Sequence, residues 1–329
     1  MNIIRFWLKN ARSTSLPQSL LPAVLAVCMA SQTAGFSLWL GLCALLGVVL
    51  AHLSMNLFDD YFDYKVKGAE FRDNLARKGM RARISKCAYI TSGEASLRQL
   101  LAACLTFGCI ALCLGLVIFL YRGNTVFWIA AIAAVLGISY SGAPLRLSYH
   151  GLGEVVIGIM FGPLAMAGVY YSACGQLDGQ LLFISIPVGL LVANIVYTHS
   201  IMDYEPDKEV GKMTFAVLLH SKARMLLALL LLLVAAYICI IVGVIMGYLS
   251  GYYLFTLLTL PMALGLFLLM FQFVRHPEKK FAPQWWMGPM GDWQRLQAAE
   301  IDWFMIRWLL ARNLLTAFCM ILIIAGFID

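Results

Sequence analysis

Residues 36–63 read FSLWLGLCALLGVVLAHLSMNLFDDYFD. The run opens as a stretch apolar enough to cross a bilayer, then takes up Asn56, Asp59, Asp60 and Asp63 in quick succession. A carboxylate at the centre of a membrane helix costs about 2.5–3.5 kcal/mol, so a group of three roughly cancels the insertion energy of the helix that carries them. Such groups must face an internal, wet or cation-filled cavity. A second acidic pair, Asp203 and Asp207, ends another apolar span in the same way. The two groups together make a divalent-metal site inside a membrane protein the leading reading.

Composition supports a bilayer as the solvent. The chain has 329 residues, 62% hydrophobic and 12% charged, with mean hydropathy +0.83. A water-soluble fold of this length has no use for so much apolar surface. The nine cysteines are scattered through apolar runs with no metal-ligand or CxxC spacing, which argues against zinc and against a disulfide framework. Basic residues ahead of the first apolar run imitate a cleavable leader, but Pro17 and Pro22 weigh against one.

Nine spans are expected, near 17–34, 36–57, 98–120, 125–142, 152–173, 181–202, 225–247, 252–274 and 304–327. Arg5, Lys9, Arg12, the dense group from Lys65 to Lys86, Arg146, Lys208, Lys212, Lys222, Arg224, Arg275, Lys279, Lys280 and Arg295 then share one side, and Arg122 lies opposite. The positive-inside rule puts the N-terminus and both acidic groups in the cytoplasm and the C-terminus outside. The long connections also fall on that face. One of them, Arg275 to Trp303, is rich in Trp and Pro and suits the headgroup level. The expectation is an all-α integral membrane protein, a single domain over 1–329, multi-pass in the inner (cytoplasmic) membrane.

Asn56, Asp60 and Asp63 follow i, i+4, i+7 spacing, and Asp203 and Asp207 are i, i+4, so each set shares a helix face. Asp59 reads more simply as an interfacial cap. Oxygen ligands without His or Cys suit a hard cation, Mg²⁺ or Mn²⁺. The nearby lysines and arginines would repel a bare ion, but they fit a diphosphate that bridges metal and base. Its apolar tail would run between the helices, and Phe58, Tyr61, Phe62, Tyr140 and Phe161 are candidates to shield a cation-like carbon. Arg312, inside the last span, reads as a snorkelling group or a partner for a buried acid. A cation-coupled transporter is the alternative from another class, although it would want its carboxylates nearer mid-membrane.

At these residues the chain resembles the UbiA superfamily of intramembrane prenyltransferases, and most of all its menaquinone branch, the 1,4-dihydroxy-2-naphthoate polyprenyltransferases. Asn56-Leu-Phe-Asp-Asp60-Tyr-Phe-Asp63-Tyr-Lys-Val-Lys67-Gly68 is similar to the first Asp-rich motif. Asp203-Tyr-Glu-Pro-Asp207-Lys-Glu-Val-Gly211-Lys212-Met-Thr214 is similar to the second. The stretch from Tyr140 to Glu154, with Phe161-Gly162-Pro163 and Gly168-Val-Tyr170-Tyr171 after it, fits the same branch, and Trp7 to Pro17 resembles its opening segment. The likeness covers about residues 5–225.

The resemblance implies Mg²⁺ (or Mn²⁺) held by Asn56, Asp60, Asp63, Asp203 and Asp207, the four aspartates being the catalytic set. Arg12, Lys67, Tyr140, Arg146 and Lys212 would lie on the diphosphate side. The partners implied are a polyprenyl diphosphate, a small aromatic acceptor and the lipid bilayer, with no nucleic acid. Menaquinone biosynthesis is the expected setting, with 4-hydroxybenzoate, a porphyrin or glycerol phosphate as other acceptors. Three features depart from the pattern. His199-Ser200-Ile201-Met202 stands where the family commonly has Asn-Asn-x-Arg, the basic loop Phe71–Lys86 lacks a clear Gly-Pro-Arg signature, and the Trp-rich stretch after Arg275 is unusual.

Overall fold

The computed structural model describes residues 2–65, 87–209 and 211–329. Lys67, with its neighbours 66 and 68 at the end of the first acidic motif, and the basic stretch 71–86 lie outside the described residues. Eight described helices are long and apolar enough to cross a membrane. A shorter apolar helix, Pro17–Ala30, stands where the first of the nine spans was expected. At 14 residues it reaches only about 21 Å, less than the roughly 30 Å of hydrocarbon.

The chain opens with α1 (Ile3–Asn10), which Asn2 caps by accepting from the Ile4 N–H at 3.1 Å. It is amphipathic, and Phe6 and Trp7 meet Tyr89 edge-on at 6.2 and 6.1 Å. Arg12 then takes a left-handed conformation (φ 58°) and turns the chain into α2 (Pro17–Ala30), whose first-turn proline needs no N–H partner. α3 (Leu38–Lys65) runs on through Asp59, Asp60 and Asp63 instead of stopping near 57 as expected. The helix can continue because those side chains find partners beyond it, described below.

Next come α4 (Leu97–Arg122), started by a Ser96–Gln99 capping box, and α5 (Asn124–Ser141). α6 (Gly153–Cys174) is broken by a wide turn at Met160–Leu164, where Pro163 lacks an N–H and Gly162 leaves helical geometry (ψ −105°). α7 (Gly179–Met202) is the central helix, and most of its residues are buried. α8 (Tyr204–Glu209) follows at once. α9 (Lys222–Ile245), α10 (Gly251–Arg275) and α11 (Asp302–Ile328) complete the bundle.

Glycine lets α6 and α7 touch. A Cβ on Gly162 would lie 2.5 Å from the Gly189 Cα, and one on Gly189 would lie 2.5 Å from the Gly158 carbonyl oxygen. These small residues bring two backbones to van der Waals distance, the usual basis of membrane helix association where lipid is as apolar as leucine. At the far end from the acids, Arg122 donates to the carbonyls of Ser172, Gly35 and Ala173. Its charge thereby caps the C-terminal end of α6.

The Trp-rich stretch packs against the bundle. A Cβ on Gly265 would fall 2.3 Å from the Trp286 ring, so the indole fills a notch in α10. Asn313 of α11 donates to the carbonyls of Met287 and Pro289 at 2.9 and 2.8 Å. Gly265 lies ten residues before the end of α10 at Arg275, about 15 Å into the bundle. The segment therefore packs on α10 and α11, with two of its backbone carbonyls satisfied by a buried amide. Arg307 holds its base: it is fully buried, donates to the Leu269 and Trp303 carbonyls, and stacks near Phe273 and Phe281.

Candidate active site

The ends of α3 and α7 that carry the two acidic groups converge on one cavity of about 1320 Å³, its open mouth included. Arg12, Asn56, Asp59, Tyr140, Asp203, Asp207 and Lys212 line its polar part. Met55, Phe58, Phe62, Ile157, Met160, Phe161, Ile195 and Trp308 supply its apolar part. His52 and Phe161 sit at its deeper end, their rings 4.7 Å apart, with His52 Nδ1 2.7 Å from the Ser19 hydroxyl.

Arg12 is the hub of the first acidic group. Its Nη2 donates to the Asn56 carbonyl at 2.7 Å and pairs with Asp59 at 3.2 Å and Asp60 at 3.4 Å. Burial alone would weaken the charge, but Asp60 and then Asp59 more than offset it, so the guanidinium is held more firmly protonated than usual. Its Nε–H is buried without a hydrogen-bond partner. That orphan donor, in a side chain on the cavity wall, is a ready contact for an anion.

Asp59 lines the cavity, fixed by the Ser141 hydroxyl at 2.5 Å as well as by Arg12. Asp60 is fully buried behind the wall and accepts from the Tyr89 hydroxyl at 3.0 Å. Burial first, and the Asp60 carboxylate next, push that hydroxyl far above its usual range, so it remains a donor. Asp63, also buried, accepts from Tyr149 at 2.6 Å. Asn56 spends its side-chain N–H groups on Ala11 and Ser15, which leaves its side-chain Oδ1 as the atom for a cation.

In the second group, Asp203 lies 2.9 Å from His199 Nε2, and Asp203 and Asp207 both line the cavity. The Lys212 N–H is tied back to the Asp207 carbonyl at 2.9 Å. Arg146 is not on the wall; it opens the turn Leu147–Tyr149 in a left-handed conformation. Tyr61 also stays off the wall, with the Lys65 ammonium 4.6 Å from its ring centroid. Arg312 lies 5.6 Å from the Trp308 ring and donates to the Asn313 side-chain oxygen.

Several wall residues escaped the sequence reading. Glu154 is buried in the first turn of α6 and accepts from Ser200 at 2.6 Å; an acid just inside an apolar span was the available signal. His52 lies one turn before Asn56, on the same face. Nothing local marks Trp308.

The donor set fits a hard cation: Asn56, Asp59, Asp203 and Asp207 bring amide and carboxylate oxygens to one cavity, with a lysine beside them. Among the described residues, no three His, Cys, Asp or Glu side chains already form a closed cage. That suits an ion such as Mg²⁺, which keeps part of its coordination for water or phosphate oxygens.

The model of the UbiA prenyltransferase family matches residues 19–288. A 1,4-dihydroxy-2-naphthoate octaprenyltransferase of Bacillus subtilis is 29% identical over 221 residues, 66% of this chain and 67% of the relative. A 2-carboxy-1,4-naphthoquinone phytyltransferase of Synechocystis is 39% identical over 111 residues, 33% of this chain and 36% of the relative. Among solved structures, a UbiA homolog from Archaeoglobus fulgidus bound to GPP and Mg²⁺ superposes with TM-score 0.61 at 17% identity, covering 93% of this chain and 98% of that one.

Proposed function

The chain belongs to the UbiA prenyltransferase family, and from that premise we propose that it transfers a polyprenyl group from its diphosphate to 1,4-dihydroxy-2-naphthoate, a step of menaquinone synthesis, in the inner membrane with its site on the cytoplasmic side. It is a prenyltransferase; the acceptor, the metal and the orientation are the proposal. The observation that carries it is the cavity itself, which joins anion-binding and cation-binding groups at one end to an apolar, aromatic interior. The relatives named for naphthoate prenylation support the choice of acceptor. The gathering of the acids at one end of the bundle disfavours ion transport, which places such groups near the midplane.

Asn56, Asp59, Asp203 and Asp207 would hold Mg²⁺, with Asp60 and Asp63 close behind on α3. When bound, the ion supplies positive charge against the departing diphosphate. The Arg12 Nε–H and the Lys212 ammonium bind the same oxygens and fix the headgroup at the cavity mouth. Lys67, Tyr140 and Arg146 remain diphosphate-side candidates from the resemblance.

The prenyl C1–oxygen bond breaks, and its electron pair leaves with the diphosphate. The acceptor ring carbon forms the new bond to C1, and the ring regains aromaticity as that carbon sheds a proton or carbon dioxide. Phe58, Phe62 and Phe161 exclude water from the carbon between those events and present ring faces to its positive charge.

The test is incubation of the purified, bilayer-reconstituted protein with labelled polyprenyl diphosphates, Mg²⁺ and a panel of aromatic acids. A prenylated naphthoquinol that forms only with metal present is the expected product. Turnover with 4-hydroxybenzoate alone would move the acceptor, and no product with any acceptor would refute the reading.

A further inference from the structure

We propose that Tyr149 is a positioning residue that couples the two acidic motifs, holding Asp63 of the first and Lys212 of the second in register for a metal-bound diphosphate. The inference rests on the diphosphate reading above and adds a residue to it. The Tyr149 hydroxyl donates to Asp63 Oδ1 at 2.6 Å, while the Lys212 ammonium lies 5.5 Å from the centroid of the same ring. One side chain thus offers a proton to a carboxylate from α3 and a π-face to a cation from the connection after α7.

The backbone around Tyr149 is built to keep it there. Tyr149 closes the turn Leu147–Tyr149, which follows the left-handed Arg146. The next residue, His150, pairs with Met213 in a parallel bridge, beside Lys212. Gly151 (φ +76°) presses on the helical turn beyond: a Cβ there would lie 1.9 Å from Leu218 Cδ1. Three residues on, Glu154 accepts from Ser200 of α7 at 2.6 Å. Contacts at His150, Gly151 and Glu154 therefore tie this stretch to the second motif and to the residues flanking it, and the Tyr149 hydroxyl is its reach across to the first.

The physical consequence concerns order more than contact. A carboxylate on α3 and an ammonium on a distant connection each keep several rotamers unless something fixes them. Outer-shell partners of a metal site, as Asp63 and Tyr149 would be here, typically matter about 10–100-fold in metal affinity or activity. Tyr149→Phe removes the hydroxyl and keeps the ring over Lys212; Tyr149→Leu removes both.

The experiment compares wild type, Tyr149→Phe and Tyr149→Leu in nanodiscs. It reads kcat, KM for geranylgeranyl diphosphate, half-saturating Mg²⁺, Mn²⁺ affinity by electron paramagnetic resonance, and the thermal midpoint. For Tyr149→Phe, KM and half-saturating Mg²⁺ should rise about ten-fold, Mn²⁺ affinity should fall in step, and the thermal midpoint should hold. Tyr149→Leu should be worse in each, with faster amide hydrogen exchange at residues 211–219. Unchanged metal affinity in Tyr149→Phe, or losses that merely follow a lowered midpoint, would overturn the proposal. Should the wild type bind Mn²⁺ yet make no prenylated product, the proposed function fails while the ratio of Mn²⁺ affinities still judges Tyr149. No Mn²⁺ binding by the wild type would overturn both.

Discussion

Removing the Arg12 guanidinium should damage stability and anion binding separately, and two substitutions divide the effects. Its Nη2 serves the Asn56 carbonyl, Asp59 and the fully buried Asp60 at 2.7, 3.2 and 3.4 Å. Breaking a buried ion pair by deleting one partner costs about 3–5 kcal/mol. The Arg12 side chain is 24% exposed and Asp59 17%, so solvent screening reduces that to about 2–3 kcal/mol for Arg12→Ala. Arg12→Lys keeps the charge near both carboxylates and should lose less than about 1 kcal/mol. It nevertheless lacks the Nε–H that the wild type leaves without a protein partner. One lost charge-assisted hydrogen bond is worth about 1.5–3 kcal/mol, so KM for the prenyl diphosphate should rise about ten-fold or more.

Buried thiols supply the stability assay. Cys87, Cys104 and Cys319 are fully buried, whereas Cys109 and Cys113 are exposed. In a Cys109→Ala/Cys113→Ala background, a thiol-reactive dye added during a denaturing-detergent titration would report opening of the bundle. The reasoning is refuted if Arg12→Ala unfolds with the wild-type midpoint, or if Arg12→Lys binds the diphosphate as the wild type does.

Further outcomes follow from other contacts. Gly162→Ala must push against the Gly189 backbone, with 2.5 Å to its Cα, and should cost about 1–3 kcal/mol in the same titration; Gly115→Ala, with nothing within 4 Å, should not destabilise. Trp286→Ala empties the Gly265 notch and should cost about 3–5 kcal/mol, while Trp285→Ala, at a residue 92% exposed, should leave the midpoint in place. Because the Arg12 pKa is raised, its stabilising effect is fully present below the unfolded value and is lost only as pH climbs past the raised folded one. The destabilisation of Arg12→Ala should therefore be constant from about pH 7 to about pH 9, and a cost that faded over that range on thiol labelling would contradict the pairing.

Much of the site was legible because charge inside an apolar run is expensive and has few explanations. Asn56, Asp203 and Asp207 line the cavity as their periodicity suggested. Periodicity favoured Asp60 over Asp59, its neighbour about 100° away around α3. Their order is decided by Arg12, Ser141 and Tyr89, three residues distant in sequence. The first span was legible as apolar but not as short, since its end depends on where the chain turns after Ala30. The Trp-rich stretch has a composition that suits either the interface or a wedge. Only the Gly265 notch and the Asn313 amide, on two other elements, draw it inward.

The central claim is that acids from both ends of the chain's first 210 residues grip one metal-bound diphosphate. Its most direct test is calorimetric titration of an unreactive geranylgeranyl thiodiphosphate into the reconstituted protein, with and without Mg²⁺, for wild type, Asp59→Asn and Asp203→Asn. The account predicts tight binding only with Mg²⁺, weakened at least about ten-fold by either substitution. Binding that ignores the metal, or that survives both substitutions undiminished, would contradict it.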